Sequence, residues 1–359
     1  MTKKHIQTIV ICCPGNVISG GVNSLHNLCK SLQECGFNSM MHYISPDETV
    51  LCNHQITSYG VKQLTELKDD PTYLVVVPET MVSYLLQFSK AQKMVYWLGL
   101  NYFFKNPLWR FPFNLKGFRK LISCRSYAGY SSGWVEDTKR KLNEYAKSHL
   151  DIWNGNVIHL SNSHFVADYC RRKGAPSVFV LHNPIRQEFY NFEPDYTSRE
   201  NLILFGPKTP KQIIRKLGKY LPDYSIIRLR KLPLEKVFEL MSKAKIFAEF
   251  GNYSGRDRMP REAAMLGCTI FMNTRGTAAF NEDYQVPDNY RITDHSGNRA
   301  LIIEQLVDTA LHYNKRITDF EPFRAQLKNE RSDFLKNTQQ VFESICGEGF
   351  IKSTLHNDD

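Results

Sequence analysis

The feature that most constrains this chain is an alternation, sustained from end to end, between short β-branched or apolar runs and longer stretches whose apolar residues recur at helical spacing. Strands separated by helices build parallel sheets covered by helices, so the chain reads as an α/β protein. In the first half the runs are HIQTIVICC (5–13), SMMHYI (39–44), TYLVVV (72–77), KMVYWL (93–98) and VIHLSN (157–162). Between the first two, Val22, Leu25, Leu28, Cys29 and Leu32 fall on one helical face, and Gly36 supplies a residue suited to ending the helix. The second half repeats the theme with NLILFG (201–206), YSIIRL (224–229), AKIFAEF (244–250) and CTIFMN (268–273). A polar segment at 183–201, interrupted by Pro184 and Pro194, separates the halves and reads as a linker.

A chain of 359 residues has room for two domains with full cores. The expected fold class is therefore α/β, with two Rossmann-like doubly wound domains facing a central cleft. The first domain spans 1–184 and the second 185–335; two amphipathic helical segments follow residue 321, and the last seven residues, STLHNDD, look frayed. In open α/β sheets ligands bind at the loops after the carboxyl ends of the strands, which makes those loops the place to look for chemistry.

Several classes are excluded. With 42% hydrophobic and 23% charged residues the composition is globular, not collagenous, coiled-coil or disordered. The 9 cysteines are odd in number and scattered, with no C-x-x-C pair, which predicts free thiols in a reducing cytosol and neither a disulfide framework nor a structural zinc. The N-terminal run MTKKHIQTIVICC holds Gln7 and Thr8 and lacks a small-residue cleavage site, so it reads as a first buried strand and not a secretion signal. No stretch reaches the roughly 18–20 apolar residues of a membrane span. A formal net charge of +10 favours an anionic partner: nucleic acid, an acidic membrane surface or a phosphorylated small molecule.

Two loops stand out. After the first strand comes PGNVISGGVNSL, with Gly20 and Gly21 immediately before a helix. Paired glycines allow close backbone approach, and a helix N-terminus offers N–H groups to an anion, so phosphate suits the site; a flexible strand-to-helix turn accounts for the glycines equally well. The spacing is neither G-x-G-x-x-G nor a Walker loop, which argues against NAD and ATP. The second loop, residues 251–280, is denser. Pro260 fits the first turn of a helix, Gly267 its C-terminal stop, and Glu262 lies where the helix dipole favours a carboxylate. Arg256, Arg258 and Arg261 crowd the same residues and call for an anion or acidic partners; Asp257 is placed to neutralise one of them. After the next strand, Gly276 and Thr277 form a second glycine turn able to present N–H groups to a phosphate.

The order strand, loop, P-x-E-A-A-x-x-G-C, apolar strand and glycine turn resembles the C-terminal domain of GT-B fold glycosyltransferases, especially family 4 and related bacterial surface-polysaccharide enzymes. The resemblance implies transfer of a sugar from a nucleotide-sugar donor to a glycan or lipid-linked glycan acceptor such as capsule, lipopolysaccharide or O-antigen. It carries the ribose-binding role onto Glu262, and the diphosphate-binding role onto Lys208 and Lys211 of FGPKTPKQ (205–212). Gly20 and Gly21 match the N-terminal glycine loop near the donor diphosphate, and Arg256, Arg258, Gly276 and Thr277 join the donor side. The family's other glutamate falls on Ser254, a departure that leaves the donor sugar and the mechanism open. The implied chemistry is retaining and needs no metal and no cofactor, and no D-x-D motif stands at a strand end. Candidate acid/base residues are Glu79, which follows TYLVVVP and would serve equally as a helix cap, and Asp257. The resemblance also returns the final helix, within 336–359, to the N-terminal domain. A non-catalytic binder of nucleotide sugar or glycan on the same fold is the alternative, prompted by Ser254.

From 96 to 120 aromatics interleave with Lys105, Arg110, Lys116, Arg119 and Lys120, with no acidic residue. That composition suits peripheral contact with an anionic membrane, placing the protein in the cytoplasm against the inner face of the plasma membrane; equally, Tyr96, Trp97 and Leu98 continue a strand and belong to a core. A nucleic-acid reading lacks an accompanying motif, so no nucleic-acid partner is expected. His26, His159 and His182 lack metal-ligand spacing and read as ordinary helix or strand-end residues.

Overall fold

The computed structural model describes residues 5–15, 19–44, 59–105, 152–153, 156–293 and 296–347. The chain divides into two compact units, one comprising 1–162, 166–181 and 335–359, the other 163–165 and 182–334. Residues 183–201, expected as a linker, pack with the second unit and open with a short 3₁₀ helix, Gln187–Phe189.

The first unit is built on a six-stranded parallel sheet of β1 (Thr8–Pro14), β2 (Ser39–Ile44), β3 (Tyr73–Pro78), β4 (Gln92–Trp97), β5 (Val157–Ser161) and β6 (Val178–Val180), ordered β2-β1-β3-β4-β5-β6. Helix α1 (Gly20–Glu34) buries Val22, Leu25, Leu28, Cys29 and Leu32, the face its spacing predicts, and Gly36 follows with a positive φ of 82°. Central strands are buried on both faces, as parallel sheets require; Ile9, Val10, Ile11, Cys12 and Cys13 have no exposure. Only β6 was not expected from sequence. It is a three-residue, half-buried edge strand, too short to show a period.

The aromatic stretch begins in this core. Tyr96, Trp97 and Phe103, the last in α2 (Leu100–Lys105), are fully buried, while Tyr102 is exposed. Trp97 Nε1 donates to His159 Nδ1 at 3.0 Å, and Trp153 stacks on His159. These buried rings cannot lie against a bilayer; residues 106–120, which carry most of the basic charge of that stretch, lie outside the described residues.

The second unit holds a four-stranded parallel sheet of β7 (Leu202–Phe205), β8 (Ser225–Arg228), β9 (Ile246–Glu249) and β10 (Thr269–Met272), ordered β10-β9-β7-β8. Helices α4 (Lys211–Leu217), α5 (Leu234–Lys243), α6 (Met259–Met265) and α7 (Arg299–Leu311) are among those that cover it; α3 (His164–Arg172) runs largely in the first unit. Both sheets wind the same way: first strand beside second on one side and third on the other. Each therefore has a switch point, β1/β3 in one and β7/β9 in the other, where loops diverge and leave a crevice. After Glu321 the chain forms one continuous helix, Glu321–Cys346, where two were expected; Pro322 sits in its first turn, where a missing N–H costs nothing. Its last part, from Leu335, counts with the first unit, with Phe342 edge-on to Phe37 at 6.2 Å. The seven cysteines among the described residues are free thiols, and none of the described helices is long and apolar enough to cross a membrane.

Candidate functional site

At the β7/β9 switch point two loops interlock. Gly206 N–H continues the ladder by donating to Ala248 O at 2.9 Å. Thr209 Oγ1 donates to Ala248 O at 3.3 Å and accepts from Phe250 N–H at 3.2 Å, so one hydroxyl bridges both loops. The backbone N–H of Lys208 donates to Glu249 Oε1 at 3.1 Å. Both glycines are required by close approach: a Cβ on Gly206 would strike the Glu249 carboxylate, and one on Gly251 would strike the Lys208 stem.

Glu249 is 1% exposed. Burial pushes its carboxyl up to about 7; Lys208 pulls it down and Asp257 raises it again. Above it the Lys208 side chain, 40% exposed, pairs through Nζ with Asp257, lies 3.4 Å from Asn252 O and stands over the Tyr253 ring at 5.4 Å. Tyr253 is fully buried and donates its hydroxyl to Glu249 O at 3.0 Å. Lys211 is exposed at the start of α4.

The β10 loop ties into the same cluster. Gly276 has a φ of 63°, and a Cβ there would strike Tyr253 O; Thr277 N–H donates to that same oxygen at 3.0 Å. Asn273 Nδ2 donates to Gly251 O, and Asn273 Oδ1 accepts from Arg275 N–H at 2.8 Å. The N–H of Thr277, expected to meet a phosphate, thus holds its own loop against Tyr253.

Helix α6 starts as its sequence implies, with Arg258 at the cap position, Pro260 in the first turn and Gly267 beyond the end at a φ of 91°. Glu262, 1% exposed, receives Arg186 Nη1 on both carboxylate oxygens, at 3.1 and 3.2 Å. Two of the clustered arginines find an acidic partner. Arg256 Nη2 and Arg261 Nη1 both bind Glu330, at 2.6 and 2.7 Å, with both guanidiniums buried. Arg256 Nε also donates to Asp283 O at 2.8 Å. Arg256 is therefore an interior charge with an acidic partner, the other alternative to the donor-side role that the resemblance implied. Asp257 and Arg258 remain partly exposed at the same loop.

Among the described residues one group has the composition of a metal site: His164, His182 and Asp283 bring their ligating atoms within 4.8 Å of one another. Hydrogen bonding accounts for it. Asp283 accepts His164 N–H at 2.7 Å, Phe165 N–H at 3.1 Å and His182 Nε2 at 3.0 Å. Burial, then the Arg256 charge, lower His182 to about 4, so its ring is neutral.

In the first unit, Glu79 opens the 3₁₀ segment Glu79–Gln87 and is 2% exposed. Its carboxylate accepts Leu98 N–H at 2.9 Å, and burial raises it to about 7 against backbone hydrogen bonds from Leu98, Glu79 itself and Gly99. Gly20 and Gly21 open α1, where Ser19 caps Val22 N–H at 3.2 Å. Neither Glu249, Arg186, Glu330 nor Asp283 was singled out from sequence. Glu330 had a signal: it falls between Leu327 and Phe334 on the buried stripe of the last helix, an acid at an apolar position.

No protein-family model matches the chain, and no curated protein matches it by sequence. Solved structures do resemble it. Sucrose-phosphate synthase from Thermosynechococcus elongatus superposes with a TM-score of 0.59 at 10% identity, covering 94% of this chain and 99% of that one. HepE from Anabaena, in complex with UDP-glucose, gives 0.53 at 11% identity, with 94% and 99% covered. WaaG, a glycosyltransferase involved in lipopolysaccharide biosynthesis, gives 0.53 at 12%, with 94% and 100% covered. At such identities the likeness establishes the fold: Rossmann-like α/β domains of the GT-B kind.

Proposed function

We propose that this protein is a glycosyltransferase that moves a sugar from a nucleotide-sugar donor to a cell-surface glycan or lipid-linked glycan. The observation that carries the reading is the Lys208 ammonium, held by three tied loops at the carboxyl ends of β7, β9 and β10, where a doubly wound domain binds its ligand. A cation fixed there offsets charge that develops on a departing diphosphate without reorganising during the reaction. Lys211 and Arg258 add to the same positive field. Glu262 is the proposed ligand of the ribose hydroxyls: a carboxylate offers about four acceptor directions, Arg186 takes one on each oxygen, and the partly exposed Arg186 side is where hydroxyls would reach the buried carboxylate.

Further parts of the reading concern the acceptor and the stereochemistry. Transfer is proposed to be retaining and metal-independent, with the acceptor on the first domain and Asp257 and Glu79 as the candidate acid/base groups. Gly20 and Gly21 would approach the donor phosphates. Glycosyltransferases that build lipopolysaccharide, as the WaaG structure is described, supply the analogy for a surface-glycan acceptor in the cytoplasm at the inner membrane face. A thermal-shift screen against UDP, GDP, CDP, CMP and ADP tests the donor site, because a ligand that binds only the native state raises the melting temperature. A rise with one nucleotide, absent in folded Glu262→Ala, supports the reading; no rise with any of them sinks it. Ser254, buried where the family places a glutamate, favours a second reading, a binder without turnover. Release of free nucleotide from the donor in the presence of acceptor excludes that reading.

A further inference from the structure

The turn that carries Lys208 is fixed from beneath by a group that the proposed donor contacts do not include. Its backbone is held by Gly206 N–H to Ala248 O at 2.9 Å, Lys208 N–H to Glu249 Oε1 at 3.1 Å and Arg228 Nη2 to Pro207 O at 2.5 Å, and the Thr209 hydroxyl bridges Ala248 O and Phe250 N–H. Of the side chains involved, only Glu249 is a buried acid. A buried acid in that position is costly, and what it supplies to the turn is an acceptor for the Lys208 N–H. The packing around it is reciprocal: Gly206 is open because the Glu249 carboxylate lies against it, and Gly251 is open because the Lys208 stem lies against it. Each loop has given up a side chain where the other's charged residue passes. Lys208, Arg228, Asp257 and Tyr253 are the ionisable groups that act on this carboxylate or feel it.

We infer that Glu249 is a positioning residue for the diphosphate side of the donor site: its carboxylate fixes the Gly206–Thr209 turn, and through the turn it sets where the Lys208 ammonium stands. Glu249 does not touch the ligand. Its backbone carbonyl also anchors the Tyr253 hydroxyl at 3.0 Å, so the ring beneath the Lys208 ammonium is set from the same residue. A cation displaced by even about 1 Å from a developing charge forfeits much of its effect, which is why the backbone anchor matters as much as the lysine. The inference rests on Lys208 as a diphosphate ligand.

The test is a double-mutant cycle on the full-length protein, read by calorimetric titration with UDP, GDP, CDP and ADP in turn. Lys208→Ala and Glu249→Ala are each expected to weaken the best-binding nucleotide about tenfold, the size of one well-made hydrogen bond or ion pair. Their double variant is expected to bind no more weakly than Lys208→Ala alone, because Glu249 acts through Lys208. Glu249→Gln keeps an acceptor for the Lys208 N–H and is expected to stay within about threefold of the parent. Should Glu249→Ala not fold, Glu249→Asp replaces it in the cycle: its shortened side chain falls short of the Lys208 N–H. Losses that add in the double variant, or tight binding by a folded Glu249→Ala or Glu249→Asp, overturn the inference while leaving the donor site standing. Failure of the parent protein to bind any of the nucleotides overturns both.

Discussion

Arg186 donates through one nitrogen, Nη1, to both carboxylate oxygens of Glu262, at 3.1 and 3.2 Å. The two residues are unequal: Glu262 is almost wholly buried, while the Arg186 side chain is 29% exposed. Removing the arginine strands a buried carboxylate. Arg186→Ala is expected to lower unfolding free energy by about 2 kcal/mol, below the roughly 3–5 kcal/mol of a fully buried pair because water reaches the arginine side. Urea unfolding followed by circular dichroism measures it, and a change under about 0.5 kcal/mol would show that the pair contributes no more than a surface bridge.

Glu330 forms ion pairs with both Arg256 and Arg261, and both guanidiniums are buried with it. Glu330→Ala removes the ion-pair partner of two buried cations in the second unit, with an expected loss of about 3–5 kcal/mol. Glu330→Gln keeps one acceptor oxygen but turns the other position into an NH2 donor facing a guanidinium, and is expected to recover only part of that loss. Denaturant midpoints of the two variants decide the order, and equal midpoints would mean that charge is irrelevant there.

Gly276 combines a left-handed φ of 63° with a Tyr253 carbonyl where its Cβ would be. A backbone oxygen cannot swing aside as a side chain can. Gly276→Ala is expected to destabilise by at least about 1–3 kcal/mol, the cost of a strained backbone position, and to loosen the Tyr253 loop. Faster amide exchange at Thr277, whose N–H donates to Tyr253 O, is the local readout.

Glu79 and Glu249 are both raised from 4.5 to about 7, chiefly by burial. A carboxyl that holds its proton more tightly when folded favours folding while protonated. Each contribution is therefore complete below about 4.5 and declines as pH rises to about 7. His159 and His182, lowered from 6.5 to about 4, act in the opposite sense: their contribution is complete above 6.5 and is lost as pH falls towards 4. The melting temperature of Glu249→Gln minus that of the parent is expected to become more positive from pH 4.5 to 7. A difference that stays flat across that window would place the Glu249 titration elsewhere.

Much of the fold was legible because its signals are local. The nine expected strand segments are strands, the α1 face is the buried face, and Pro260, Gly36 and Gly267 stand where their backbone preferences put them. Periodicity and punctuation need only a few consecutive residues, and a central parallel strand advertises itself as a continuous apolar run. The exception, β6, is short and half exposed at a sheet edge, so it carries no such run.

What the sequence determined by itself was the α/β architecture and the loops that close its strands, including the turn that carries Lys208. Tertiary structure alone decided the partners of the charges. Arg256 meets Glu330 across 74 positions and Arg186 meets Glu262 across 76, so nothing in a local window could tell an arginine facing an anion from one neutralised in the interior. Glu249 shows the same divide. In sequence it is the last acid on an apolar strand, and only the close approach of two glycine turns makes it the acceptor of the Lys208 N–H. Secondary structure follows from neighbours in the chain, whereas the environment of a charge follows from neighbours in space, and packing chooses those.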